Sequence, residues 1–140
     1  MTTKTKLTVR YAETDQMAIV HHSNYPVWYE AGRTDFIKNM GMSYTEIEAQ
    51  GILFPLLELH CKYIQAARYE DVVIIETTLT KLSVVKVEFS YKVYRESDGV
   101  LLNTGSTIHG MVTKELRPVH MKKEQPEIYQ MMEKVLQKEQ

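Results

Sequence analysis

Val85, Val87, Phe89, Tyr91 and Val93 alternate with Lys86, Glu88, Ser90, Lys92 and Tyr94, and Asp98-Gly99 follows. Strict period two places the apolar set on one face of a strand, and Asp-Gly is a strong hairpin signal. Such a run is incompatible with a helix and demands a sheet with one covered face. Val100 to Thr113 reads as the returning strand. Val72 to Leu82 is β-branched and Thr-rich, as strands prefer. Leu57, Leu59, Cys61, Tyr63 and Gln65 alternate with Glu58, His60, Lys62 and Ile64, giving another strand. Leu7, Val9 and Tyr11 alternate with Thr8 and Arg10, a short first strand.

One long helix must cover that sheet. Ser23 is a suitable N-cap, and Pro26 fits the first turn, where a missing donor costs little. Tyr25, Trp28, Tyr29, Gly32, Phe36 and Met40 recur at helical spacing, and Val27, Ala31, Thr34 and Ile37 form a second stripe. Two apolar stripes imply a helix packed on more than one side. Gly41 is a plausible stop, Ser43 with Glu46 matches a capping box, and Gly51 ends a short second helix. A terminal helix is expected over about 126–138, with Ile128, Met131, Met132 and Val135 on one side. Strands joined by hairpins make an antiparallel sheet, so the class is α+β.

The length of 140 residues suits one domain spanning 1–140. Lys and Arg total 17 against 18 Asp and Glu, so no basic excess supports nucleic-acid binding. One Cys excludes an internal disulfide framework and points to a reducing compartment. Met1 to Arg10 has no apolar signal core, and no run approaches the ~20 apolar residues of a membrane span. The expectation is a soluble, cytoplasmic protein.

Asp15 lies in a non-periodic loop shortly before the long helix. A carboxylate there is either a nucleophile or general base, or a bystander to the helix dipole. The first amides of a helix have no internal partner and can hold an oxyanion. His22, Ser23 and Asn24 supply those amides. Asp15 with these amides suits acyl transfer on an activated carbonyl, a thioester best, because a thiolate leaves with little protonation. His21 and His22 are adjacent and the other histidines dispersed, so no metal site is expected. Cys61 and His60 point to opposite faces of a strand, which leaves Cys61 as a buried, inert thiol. Arg68 is free to bind phosphate or to pair with Glu70 or Asp71. Lys114, Arg117, Lys122 and Lys123 form a local basic segment, either solvated or facing a polyanion.

The block Tyr11-Ala-Glu-Thr-Asp15-Gln-Met-Ala18-Ile-Val20-His-His22-Ser-Asn-Tyr25, then Trp28-Tyr29-Glu30-Ala-Gly-Arg33, resembles the hotdog-fold acyl-CoA thioesterases of the 4-hydroxybenzoyl-CoA thioesterase and YbgC type. Ala67-Arg68-Tyr69-Glu70-Asp71 and Arg117-Pro118-Val119 resemble later landmarks of that family. The resemblance implies an antiparallel sheet wrapped around the long helix, in dimers or tetramers with active sites at subunit interfaces. It puts Asp15 on the catalytic carboxylate and the main-chain N–H near His22 on the carbonyl-polarising position. Ala18 stands where members often carry Gly, so the loop shape there departs from the pattern.

The expected function is hydrolysis of an acyl-CoA to a carboxylic acid and free coenzyme A. Coenzyme A enters only as part of the substrate, and no cofactor is expected. Asp15 and His22 are the expected catalytic residues. Val20, Tyr25, Leu57 and Leu59 are the expected acyl contacts, Asn24 a substrate-binding residue at the helix start, and Arg68 a phosphate contact. A hydratase or dehydratase using His22 with Asp15, and a non-catalytic acyl-CoA binding module, are the alternatives.

Overall fold

The computed structural model describes residues 1–136. In chain order it contains β1 (Thr2–Thr8), a 3-10 turn (Tyr11–Glu13), α1 (Asn24–Met40), α2 (Tyr44–Ala49), β2 (Leu56–Tyr63), β3 (Val72–Leu82), β4 (Lys86–Arg95), β5 (Leu101–Gly110), α3 (Met121–Glu124) and α4 (Pro126–Val135). The last stretch expected for the terminal helix, residues 137 and 138, lies outside the described residues. The five strands form one antiparallel sheet in the order β1-β3-β4-β5-β2. The alternation on β4 is realised, with Val87, Phe89, Tyr91 and Val93 all buried. Gly99 turns the β4–β5 hairpin with φ +71°, a conformation that glycine adopts freely.

α1 packs across the covered face of the sheet. Tyr29 stacks on Tyr91 with ring centroids 4.2 Å apart, and Phe36 meets Phe89 edge-on at 5.6 Å. At Gly32 the helix backbone rests on β3, so that a side chain there would strike the Thr77 hydroxyl and come within 3.0 Å of Ile75 Cγ2. α1 stops at Gly41, whose N–H reaches the carbonyls of Ile37 and Lys38 at φ +113°. Ser43 caps α2 by accepting the Glu46 N–H at 3.1 Å. A long helix wrapped by an antiparallel sheet is the hotdog arrangement.

Three sequence expectations change. The first strand begins at Thr2, and its inward residues include Thr3 and Thr5, with the Thr5 hydroxyl donating to Asp35 Oδ2 at 2.6 Å. Alternation was hidden there because β-branched threonines fill the inward positions; Tyr11 lies beyond the strand in the 3-10 turn and is 76% exposed. Cys61 is not buried but half-buried, because β2 is the sheet edge and its residues are otherwise exposed. Val27, from the second helical stripe, is also exposed.

A polar chain threads the core. Arg33 Nη1 donates to the Tyr91 hydroxyl at 3.1 Å, Tyr91 bonds to Thr107, and Thr107 to His109 Nε2 at 2.9 Å. His109 Nδ1 meets the Phe54 carbonyl at 3.2 Å. A carbonyl only accepts, so Nδ1 carries the proton and the chain runs in one direction from Arg33 to Phe54. Burial, and then the Arg33 charge, push His109 from 6.5 down to about 4.

Two outcomes follow. Gly105 lies between Cys61 and Tyr91 in the ladder, and a methyl there would meet the Tyr29 ring and sit 2.6 Å from the His60 carbonyl. Gly105→Ala is expected to cost about 1–3 kcal/mol of stability, read in a thermal melt. Folded His109 stays neutral down to about pH 4, whereas an unfolded chain takes up its proton near 6.5. The stability this group contributes is therefore full above pH 6.5 and lost as pH falls from 6.5 toward 4. Urea midpoints across that window should slope less in His109→Gln than in the wild type.

Candidate active site

The segment before α1 folds back on itself. Thr14 and Val20 form an isolated antiparallel bridge, the Asp15 N–H donates to the Ile19 carbonyl at 2.9 Å, and the Ala18 N–H donates to the Asp15 carbonyl at 2.9 Å. Asp15 Oδ1 accepts the Met17 N–H at 2.8 Å, as an aspartate opening a turn does. Oδ2 has no partner among the described residues. Ala18 closes the turn with φ +62°. This is the left-handed region, where a Cβ is costly, at the position where the resembling family often has Gly.

α1 starts beside this turn, but not with the expected cap. Ser23 has helical angles and makes no side-chain cap; its hydroxyl and its N–H both engage His21 Nδ1, at 2.8 and 3.2 Å. An N–H only donates, so Nδ1 of His21 is the unprotonated nitrogen. The Asn24 and Tyr25 N–H groups turn back to the His21 and His22 carbonyls at 3.1 and 3.4 Å. Of the three amides expected to face a ligand, those of Ser23 and Asn24 are thus occupied. Only the His22 N–H is without an acceptor among the described residues.

A cavity of about 270 Å³ opens here, lined by Asp15, Val20, His22, Tyr25 and Tyr63, with Met17, Ile19 and Ile64 among its apolar walls. Asp15, His22, Val20 and Tyr25, named from sequence, are brought together. Asn24, Leu57, Leu59 and Arg68 are not part of the lining. The Asn24 amide nitrogen donates inward, to the Glu13 and His21 carbonyls. Leu57 and Leu59 are 50% and 40% exposed on the edge strand. Arg68 is exposed and its guanidinium makes no ion pair among the described residues; Asp71, its possible partner, pairs with Arg95 at 3.1 Å. Burial raises the Tyr25 hydroxyl above its ordinary value, keeping it a neutral phenol.

Two residues were missed. Tyr63 ends β2, places its ring 5.3 Å from that of Tyr25, and donates to the His22 carbonyl at 3.3 Å. Glu13 is 5% exposed; its carboxylate accepts the Arg10 N–H at 2.8 Å and the Trp28 indole N–H at 2.9 Å. The available signal was Trp28, since a buried indole N–H needs an acceptor. Among the described residues no three His, Cys, Asp or Glu side chains converge as metal ligands, and no helix is long and apolar enough to cross a membrane.

An antiparallel sheet wrapped around one long central helix defines the hotdog class of fold. A model of the thioesterase-like superfamily matches residues 9–137, and the chain belongs to that superfamily. The putative acyl-CoA thioesterase YneP of Bacillus subtilis (strain 168) is 35% identical over 132 residues, covering 94% of this chain and 95% of the relative. Among solved structures, the DHNA-CoA thioesterase from Staphylococcus aureus aligns with a TM-score of 0.91 at 32% identity, covering 96% of this chain and 90% of that one. The hypothetical protein TT1821 from Thermus thermophilus aligns at 0.88 and 39% identity, covering 98% and 99%.

The positive φ of Ala18 has a measurable consequence. Ala18→Gly relieves the left-handed strain at the cost of a freer unfolded chain, for a net gain of about 0.5–1 kcal/mol. A rise in the urea midpoint checks it.

Proposed function

We propose that this thioesterase hydrolyses an acyl-CoA, with Asp15 as the reacting carboxylate and the His22 N–H as the oxyanion donor. The observation that carries the reading is their convergence on one cavity, with one Asp15 oxygen and the His22 amide both unspent. A carbonyl bound there gains negative charge as it becomes tetrahedral, and a fixed amide stabilises that charge more than the ground state. Asp15 Oδ2 either attacks the carbonyl carbon, giving a mixed anhydride that water opens, or takes a proton from the attacking water. Coenzyme A leaves as the thiolate. Single turnover in oxygen-18 water, with label recovered in Asp15 only for the anhydride route, separates the two. Val20, Tyr25, Tyr63 and Ile64 supply the apolar wall for the acyl group.

The kinship with YneP supports coenzyme A as the carrier. The hydratase alternative is less well supported, because the His22 ring makes no hydrogen bond to Asp15 among the described residues. That ring instead lies against His21 at 4.1 Å and edge-on to Tyr63.

The reading includes a second copy of the chain, as a homodimer or within a homotetramer. Leu56, Leu57, Leu59, Tyr63 and Ile64 are exposed along and just beyond edge strand β2, and Val27 is exposed on α1. An uncovered apolar edge is an aggregation hazard unless it is paired. Covering it would bring Leu57 and Leu59 to an acyl site only across the interface. Arg68 and the basic segment from Lys114 to Lys123 remain candidates for the coenzyme's phosphates.

Asp15→Asn should lower kcat on a responsive acyl-CoA by about 10²–10⁴-fold, measured by thiol release across a panel of acyl chains. Full activity in that variant overturns the role of Asp15. Loss of enoyl absorbance without thiol release would instead favour the hydratase.

A further inference from the structure

We infer that Asn24 is a positioning residue that sets the reacting carboxylate and the oxyanion donor relative to each other. The inference rests on the function proposed above. An asparagine in the N-cap position accepts an amide N–H through its side-chain oxygen, but Asn24 lies one residue further in, past Ser23. Here the polarity is reversed, for both recorded bonds of the side chain are donations to carbonyls. Capping does not account for that arrangement, and the wiring of the two carbonyls does.

The first is the His21 carbonyl, which accepts the Asn24 side-chain amide at 3.1 Å and the Asn24 main-chain N–H at 3.1 Å. A trans peptide is planar, so its carbonyl and its N–H point in opposite directions. Holding the His21 carbonyl toward the helix therefore turns the His22 N–H, on the same peptide, outward. Asn24 thus fixes the orientation of the His22 amide, the unspent one of the three at the helix start.

The second is the Glu13 carbonyl, two residues before Asp15, which accepts the Asn24 side chain at 2.9 Å and the His21 N–H at 2.9 Å. Glu13 is held from its other end by Trp28, one helical turn beyond Asn24. One side-chain amide thereby bridges the segment that carries the carboxylate and the peptide that carries the donor. Misplacing reacting groups by about 1 Å can cost ~10²-fold in rate. Asn24 does not line the cavity, so its loss should appear in kcat rather than in KM.

The test compares Asn24→Asp, which keeps the shape but faces two carbonyls with acceptors, Asn24→Ala, and Asn24→Ser, which retains one donor. Two quantities are measured: kcat and KM on an acyl-CoA that the wild type hydrolyses, and hydrogen exchange of the His21 amide in the free protein. The expected result is a kcat lowered about 10²-fold in Asn24→Asp and Asn24→Ala with KM within about threefold, partial recovery in Asn24→Ser, and faster His21 exchange. Should Asn24→Asp fail to fold, the other two variants decide. A kcat within about threefold of wild type in the folded variants, a loss confined to KM, or unchanged His21 exchange overturns the inference. If the wild type cleaves no acyl-CoA, the proposed function fails, and the exchange measurement still decides whether Asn24 clamps the two segments.

Discussion

The direct seating of α1 on the sheet at Gly32 governs the rest of the molecule. With no side chain between them, helix backbone and β3 approach until Thr77 and Ile75 fill the gap. That distance lets Tyr29 lie flat on Tyr91 and lets Trp28 reach back to Glu13. The start of α1 is then held from both sides, by the segment that precedes it and by Tyr63 at the end of β2. The cavity forms where these three pieces meet.

Glu13 and Asp15 show how environment divides two acids of one short segment. Both oxygens of Glu13 are consumed inside the protein, by a main-chain amide and an indole. Asp15, one residue past the bridge pair Thr14–Val20, commits a single oxygen to its own turn. A buried carboxylate with both oxygens hydrogen-bonded inside the protein is a structural rivet. A partly exposed one with an oxygen to spare is available for chemistry.

Much of this was legible in the chain. The β4 alternation and Asp98-Gly99 announced the sheet, and the spacing of Trp28, Tyr29, Gly32 and Phe36 announced the helix that covers it, because periodicity records burial directly. β1 was read short because threonines occupy its buried positions and carry no apolar signal. Cys61 was misread because period two reveals which residues share a face, not whether a strand lies at an edge. Of the residues around the cavity, Asp15 and His22 are named through chain proximity to the helix start, and Val20 and Tyr25 with the family resemblance. Tyr63 and the inward role of Asn24 are not, since the first depends on the β2–β5 register and the second on carbonyl directions that no residue type encodes.

The strand order carries a consequence for how the chain acquires its shape. β1 pairs with β3, and β2 with β5, so both outer strands are made well before their partners. During synthesis from the N-terminus, α1 and β2 emerge with no sheet to rest on, and only the β3–β4–β5 meander closes through local hairpins. Non-local pairings are slow because loop-closure entropy is lost before contacts repay it. The central meander is therefore the natural nucleus, and β2 completes the sheet only after almost the whole chain exists. Over that interval the main-chain groups of β2 are unpaired beside leucines and a tyrosine that stay exposed even after folding, making β2 the segment most in need of protection while the protein is being made.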